Sequence, residues 1–336
     1  MRKGITFAGC FFVDNIKYIE NYPAFQSLTH VIDVARATGG LVPNCGLTLA
    51  KLDPYLPVKV MGIIGEDEAG DYVLSQFDGL DNVDTSNIIR RGRTAATDVM
   101  TVKSTGQRTF FTDNGANKLL VPEDFDYKKL DAEIMHIGYI LLLNGLDAPD
   151  KNHPTAMCRV LDAAQKAGIQ TSIDVVSEEG DRFAKLVPPA LKYADYCIIN
   201  EHEASRTTGI KLRDESDNVL NNNLTAACNE LMEMGVGRWV VIHMPEMSCA
   251  MERGGEYVQE LSLKLPDGFI KSSVGAGDAF AAGILYGAYS GWSLKKSIQT
   301  AGAVAACSLS TPGATDAIKP LPELLKQMEP YIRQNK

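Results

Sequence analysis

The segment Gly275–Asp278 constrains the fold most, because it joins a glycine-rich turn to a run that is apolar on every side. Residues 279–288, which follow it, are almost entirely hydrophobic or small, and this pattern predicts a helix that is buried all round. Two glycines flanking one alanine let successive backbone N–H groups converge where the helix dipole is positive. The segment therefore predicts an anion-binding site at the N-terminus of a buried helix.

Asp278 stands directly after this turn, where a carboxylate would repel a bound anion. One explanation is structural, since aspartate is a common N-terminal cap. The other is catalytic, because a general base has to reach both a substrate hydroxyl and the group that the hydroxyl attacks. The four residues alone leave both explanations open.

Strands, glycine turns and helices alternate along most of the chain. Short apolar runs that end in glycine, at 5–9 and 58–65, are typical of buried strands, and amphipathic segments follow them. The alternation predicts an α/β protein with a doubly wound, mainly parallel sheet flanked by helices. A chain of 336 residues with 45% hydrophobic residues can bury such a core, and we expect residues 1–336 to form a single domain.

Two stretches depart from this rhythm. Residues 94–102 and 108–112 are predicted strands joined by a short turn, so they form a hairpin without a crossover helix. Together with the polar and aromatic segment 15–34, they predict a small antiparallel sheet. We expect it to cover the cleft as a lid, formed by residues 11–36 and 88–113.

Several polar residues follow predicted strands, where ligands bind in open α/β sheets. Asp14 lies five residues after the first strand, and Gly40 and Asn44 flank the next predicted helix start. Asn200 and Glu203 lie one helical turn apart at the head of another helix. They could form a capping box, or both could approach one ion.

Composition narrows the classes of function. A net charge of −9 argues against a nucleic-acid partner. The seven cysteines are scattered and show no metal-ligand spacing, which favours reduced thiols in a cytoplasmic protein. The first residues predict no signal peptide, and no run is long enough to predict a membrane span.

Over essentially its whole length the chain resembles the ribokinase-like carbohydrate kinases, also called the phosphofructokinase-B family. The resemblance implies ATP-dependent phosphorylation of a hydroxyl group on a sugar or sugar-like substrate, with Mg²⁺. The motifs that carry it occur in the family's order: 9–14, Gly39-Gly40 with Asn44, 62–67 with Gly70, 114–117, Asn200 with Glu203, and 275–280.

The resemblance also implies roles for individual residues. Asp278 would be the base, and the backbone of Gly275, Ala276, Gly277 and Asp278 would form the anion hole. Asp14, Gly40 and Asn44 would contact the sugar, and Asn200 with Glu203 would support Mg²⁺ near the nucleotide, mainly through water. Apart from the resemblance, Arg108 and Lys118 could add positive charge from the lid side, and Arg108 is also predicted to bind the substrate.

Two departures from the family pattern qualify these roles. Many relatives carry an aspartate and a threonine before the glycine turn and depend on a monovalent cation, whereas Ser272 and Ser273 stand here, which argues against potassium activation. Residues 243–246 replace a Thr-x-Gly turn that contacts the nucleotide in relatives. Because Pro245 lacks an N–H group, His243 could take over part of that contact.

Two alternatives to a sugar kinase stay open. Phe11, Phe12, Phe110 and Phe111 would suit the base of a nucleoside, which favours a nucleoside kinase of the same fold. The second alternative is a regulator that binds nucleotide or sugar but catalyses no reaction. Exposed strand edges in the lid also predict a possible homodimer.

Overall fold

The structure, a computed structural model, describes residues 3–178 and 180–333. Its strands fall into two sheets, a large one and a small one. In chain order the strands are β1 (Ile5–Gly9), β2 (Phe12–Ile19), β3 (Val31–Gly39), β4 (Val58–Ile64), β5 (Val83–Arg90), β6 (Ala96–Val102), β7 (Arg108–Asp113), β8 (Ile134–Ile140), β9 (Gln170–Val175), β10 (Tyr196–Asn200), β11 (Trp239–His243), β12 (Met247–Glu252) and β13 (Tyr257–Leu261).

Helices connect most of these strands, and two 3₁₀ turns follow β7 at Gly115–Leu119 and Pro122–Asp124. In chain order the α-helices are α1 (Leu41–Leu52), α2 (Glu68–Ser75), α3 (Tyr127–Leu130), α4 (Asn144–Asp147), α5 (Ala156–Lys166), α6 (Phe183–Leu191), α7 (Glu201–Thr208), α8 (Asn221–Glu233), α9 (Ala276–Tyr289), α10 (Leu294–Ser308) and α11 (Leu321–Arg333).

The large sheet has nine strands in the order β13-β12-β11-β10-β9-β8-β1-β4-β5. It is parallel from β5 to β11, and β12 and β13 run antiparallel at one edge. The strand order reverses beside β1, so the carboxyl end of β1 marks the topological switch point where ligands bind in such sheets. The predicted doubly wound α/β fold is confirmed.

Helices cover both faces of the large sheet. Buried side chains of α5, α6 and α8, such as Leu161, Val187 and Leu231, pack in one core. Those of α1, α9 and α10, such as Leu49, Ile284 and Ile298, pack in the other. This double cover explains why the central strands are continuous apolar runs instead of alternating ones.

The small sheet has the order β3-β2-β6-β7. Its two outer pairs are antiparallel, the pair β6–β7 being the expected hairpin, and they meet along a parallel pair between β2 and β6. The expected lid boundary at residue 88 is wrong, because β5 belongs to the large sheet, where it pairs with β4. Ile88 and Ile89 pack against opposite cores, as side chains of a strand within the body do. The second lid segment therefore begins at Ala96.

All seven cysteines are buried and none is in a disulfide. Across the described ranges, no helix combines the length and apolar character needed to cross a membrane.

The buried helix predicted after Gly275 is α9, and α10 packs directly along it. Small residues bring the two helices close together. A Cβ atom added at Gly283 would lie 2.7 Å from the Cα of Ala301, closer than real Cβ contacts. The N-terminus of α9, which carries the glycine turn, is thus fixed by close packing behind it.

Paired glycine substitutions test this packing. Gly283→Ala should be less stable than Gly302→Ala by about 1–3 kcal/mol, because only the first forces Cβ against backbone. Gly302 lies in α10, and no atom of another element lies within 4 Å of an added Cβ, so Gly302→Ala should stabilise the protein by about 0.5–1 kcal/mol. Urea unfolding of both variants measures the difference, and equal stabilities would contradict the close contact.

Candidate active site

Two cavities, each of about 800 Å³, open near the N-terminus of α9. Cavity 1 is bounded by α9, α10 and the end of β11, and Ala276, Gly277 and Phe280 line it. Cavity 2 lies between the small sheet and the carboxyl end of β8, and Asp14, Gly40 and Tyr139 line it. Asp278 lies between them, since it directly follows Gly277 and bonds to Tyr139.

Asp278 is 6% exposed, and its carboxylate is held by side chains from two other elements. The Asn44 Nδ2 group on α1 donates to Oδ2 over 2.9 Å, and the Tyr139 hydroxyl on β8 donates to Oδ1 over 2.7 Å. The Cys45 thiol donates to the backbone oxygen of Asp278 over 3.3 Å and also lies 3.9 Å from Oδ1. Burial raises the pKa of Asp278, and the hydrogen bonds from Tyr139, Asn44 and Cys45 oppose that rise.

The capping explanation for Asp278 does not describe this geometry. The N-cap of α9 is Gly275, and the Asp278 carboxylate points to α1 and β8 instead of its own helix. A buried carboxylate with a raised pKa, placed between two cavities, is suited to accept a proton.

The predicted anion hole lies at the start of α9. Gly275 has φ 74°, and a Cβ there would lie 2.4 Å from the Cβ of Ala314, so both conformation and space favour glycine. The Ala276 amide donates to the Ser273 carbonyl over 3.3 Å, within the turn. The amides of Gly277 and Asp278, in the first helical turn, have no intrahelical acceptor. Of the four residues predicted to form the hole, Gly277 and Asp278 therefore have amides at the N-terminus of α9 that no carbonyl of the helix satisfies.

Asp14 lies on β2 and lines cavity 2. A Cβ on Gly39 would lie 2.5 Å from the Asp14 Oδ2 atom, so the first glycine of the pair lets the carboxylate lie against the backbone. Burial raises the pKa of Asp14 to about 6, and the nearby Arg108 guanidinium opposes this. The second glycine, Gly40, is the N-cap of α1 and also lines cavity 2.

Arg108, on β7, connects the small sheet to the turn before α9. Both of its terminal nitrogens donate to the Ser272 hydroxyl over 3.3 Å, and that hydroxyl also accepts from the Val274 amide. Arg108 thus lies between Asp14 and the anion-hole turn. Lys118, the other predicted basic residue, lines cavity 2 and pairs with Asp113 over 3.4 Å.

Asn44, which the resemblance places against the sugar, lies beside the predicted base. It is 4% exposed, and its amide nitrogen donates to Asp278. The structure thus groups Asn44 with the base, while Asp14 and Gly40 line the cavity.

Asn200 and Glu203 form the capping box. The Asn200 side chain accepts from the Glu203 amide, and the Glu203 carboxylate accepts from the Asn200 amide, both over 2.9 Å. The Glu203 carboxylate also accepts from the Ser177 hydroxyl. Burial raises the pKa of Glu203 to about 7. A nearby cation would lower this pKa again and favour the ionised form.

This arrangement fits a magnesium ion held through water. The oxygens of Glu203 already accept protein hydrogen bonds, and Asn200 lines cavity 1. Within residues 3–178 and 180–333, no group of three or more His, Cys, Asp or Glu side chains could hold a metal ion directly. Mg²⁺ keeps several of its waters when it binds beside phosphates.

His243 is the register partner of Asn200 across β10 and β11, so the two side chains lie at the same edge of the sheet. Its ring packs on Phe280, with ring centroids 5.2 Å apart, and it lines cavity 1. Burial lowers the pKa of His243 to about 4, so the ring is neutral at pH 7. The turn beyond it is held by Arg213, which binds Glu246 through two nitrogens.

Sequence reasoning missed three residues of this site, Cys45, Tyr139 and Asp174. Asp174 lies 8% exposed in β9, and burial, with the charges of Glu203 and Asp278, raises its pKa well above the ordinary value. An acidic residue inside an apolar strand is a signal that could have been used for Asp174. Tyr139 and Cys45 carry no comparable signal.

Comparison with known proteins finds carbohydrate kinases among the relatives of this chain. The family model described as pfkB family carbohydrate kinase matches residues 10–321. A protein named uncharacterized sugar kinase from Archaeoglobus fulgidus is 25% identical over 77% of this chain and 93% of its own. The 5-dehydro-2-deoxygluconokinase of Listeria innocua is 24% identical over 94% of this chain and 92% of its own.

The fold is also shared with solved structures. The Arabidopsis thaliana ribokinase, solved in complex with ribose and ATP, superposes with a TM-score of 0.78 at 22% identity, covering 98% of this chain and 99% of its own. The chain belongs to the pfkB family of carbohydrate kinases. The predicted family and ribokinase-like fold are confirmed.

Proposed function

We propose that the protein transfers the γ-phosphoryl group of ATP to a hydroxyl group of a sugar, with Asp278 as the general base. The observation that carries this proposal is the position of the Asp278 carboxylate. It is buried, it is held from two sides, and it lies between a cavity with hydroxyl-binding groups and the free amides of α9.

The sugar would bind in cavity 2. Asp14, Thr97 and Asn144 line this cavity and offer oxygen and nitrogen atoms to hydroxyl groups. Asp278 would take the proton of the acceptor hydroxyl while the hydroxyl oxygen forms a bond to the γ-phosphorus of ATP. The bond between the γ-phosphorus and the bridging oxygen of the β-phosphate would break at the same time. ADP would leave from cavity 1 with that electron pair.

Charge on the transferring group would be stabilised by fixed donors. The amides of Gly277 and Asp278 lie at the positive end of α9, and Arg108 approaches from the small sheet. Since phosphoryl transfer depends mainly on alignment and charge stabilisation, these groups supply what the reaction needs.

ATP would bind in cavity 1, whose walls include Met244, Leu263 and Phe280. These apolar side chains suit an adenine ring. Asn200 and His243 would lie toward the phosphates. Mg²⁺, held through water by Asn200 and Glu203, would neutralise phosphate charge when bound.

A nucleoside is a second candidate acceptor, and one feature of cavity 2 favours it. Phe12 and Phe110 line cavity 2, and a nucleobase could pack against them. Phe11, by contrast, is fully buried in the core of the large sheet.

Replacement of the base distinguishes a kinase from a silent regulator. Asp278→Asn should lower kcat by about 10²–10⁴-fold, because the acceptor hydroxyl loses its proton acceptor. ATP affinity, measured by isothermal titration calorimetry, should change little, since the amides of α9 remain. Asp78→Asn, at an exposed position, is the control and should retain full activity. Full activity in Asp278→Asn would contradict the proposed mechanism.

We also propose that no monovalent cation is needed. The Arg108 guanidinium already donates to Ser272, so a cation beside this hydroxyl would meet like charge. Turnover measured at equal ionic strength in potassium, sodium and tetramethylammonium chloride should agree within about twofold. Strong stimulation by potassium alone would contradict this.

A homodimer through the small sheet is proposed from its exposed apolar edge. On the edge strand β3, Val31, Ile32 and Val34 are 49%, 42% and 68% exposed. An edge strand of this kind favours pairing with a second chain. Sedimentation should show a dimer that Val34→Glu dissociates, while Tyr55→Glu, at a 94% exposed site outside this sheet, leaves it intact. A monomeric wild-type protein at tens of micromolar would contradict the proposal.

A further inference from the structure

We propose that Tyr139 is a positioning residue for Asp278: its hydroxyl fixes the orientation of the carboxylate and keeps it ionised until the acceptor hydroxyl delivers its proton. This inference rests on the proposed kinase function, which it extends by one residue that the family motifs of this sequence do not include.

The position of Tyr139 is fixed by its surroundings. It lies near the carboxyl end of β8, beside β1 at the switch point, and its ring packs against both cores of the large sheet. Its amide donates to the Cys10 sulfur over 3.4 Å. A ring held in this way brings its hydroxyl to one place, so the hydroxyl can fix the orientation of the Asp278 carboxylate.

Two donors then define the plane of the Asp278 carboxylate. The Tyr139 hydroxyl bonds to Oδ1 over 2.7 Å, and the Asn44 amide bonds to Oδ2 over 2.9 Å. Of these two residues, Tyr139 also lines cavity 2, where the acceptor would bind. The phenol oxygen keeps lone pairs that can accept a hydrogen bond from a substrate hydroxyl. Tyr139 would thus contact both the base and the sugar.

The electrostatic surroundings make this hydrogen bond important. The titratable groups facing Asp278 are Cys10 after β1, Cys45 on α1, Tyr139 on β8 and Asp174 on β9. Burial raises the pKa of both thiols and of the phenol, so these groups are neutral at pH 7. Asp174, when ionised, would repel Asp278.

The hydrogen bond from Tyr139 opposes the rise in the pKa of Asp278. Burial raises the pKa of Asp278, and among the hydrogen bonds that lower it the one from Tyr139 is the largest. The pKa of Tyr139 itself is raised well above its ordinary value, first by burial, so the phenol stays a donor at every working pH. A neutral donor suits this position, since a cation would lower the pKa of Asp278 further and make the carboxylate a weaker base.

Tyr139→Phe removes the hydroxyl and keeps the ring. The pKa of Asp278 should rise, because the ionised form loses a hydrogen bond, so activity should be lost at a higher pH as the solution is acidified. On the acid side of the profile kcat should fall about tenfold, as a charge-assisted hydrogen bond predicts, while KM for ATP stays nearly unchanged. Above the shifted limb most of the activity should return.

A measurement without substrate separates this inference from the kinase proposal. Carboxylate ¹³C NMR titration of the ligand-free protein, with the Asp278 signal assigned from Asp278→Asn, should give a higher pKa in Tyr139→Phe than in wild type. Tyr286→Phe is the matched control, because Tyr286 also donates to an aspartate, Asp53, from the same helix as Asp278. It should leave both the Asp278 titration and the pH profile unchanged.

The outcomes are distinct. An unchanged Asp278 titration in Tyr139→Phe, or a fall in kcat that is equal at every pH, would overturn the role of Tyr139 and leave the kinase proposal standing. A wild-type protein that phosphorylates no acceptor would overturn the kinase proposal itself, whatever the titration shows.

Discussion

The site depends on one physical constraint, the burial of the Asp278 carboxylate at the start of a buried helix. A carboxylate that is 6% exposed is costly unless hydrogen bonds compensate it, and Asn44 and Tyr139 do so from two different elements. Because these donors lie on α1 and β8, the base is correctly held only when the helix and the centre of the sheet are both in place. Folding and formation of the site are therefore coupled.

The rest of the fold arranges the two substrates around this carboxylate. Close packing of α10 on α9 fixes the free amides beside cavity 1, and the reversal of strand order at β1 opens cavity 2 on the other side. The small sheet contributes Asp14 and Arg108 to this site. Arg108 also connects the small sheet to the anion-hole turn through its hydrogen bond to Ser272. A movement of the small sheet would therefore alter both the acceptor cavity and the charge beside the phosphoryl group.

Much of this could be predicted from local sequence signals. The glycine turn before an apolar run located the start of α9, and apolar runs ending in glycine located the central strands. The membership of β5 could not be predicted, since Ile88 and Ile89 would suit a strand of either sheet and only long-range pairing with β4 decides. The donors to Asp278 were hidden for a similar reason: Tyr139 and Asn44 are 139 and 234 residues away along the chain, and neither belongs to a local pattern that points to a carboxylate.

The most direct test of the account is ³¹P NMR of the purified protein with ATP, Mg²⁺ and a panel of pentoses, hexoses, ketoses, polyols, sugar acids and nucleosides. At least one sugar should be converted to a phosphate monoester, with one ADP formed for each ester. A protein that binds ATP but yields no phosphate ester from any acceptor in the panel would contradict the central claim that Asp278 is the base of a phosphoryl transfer.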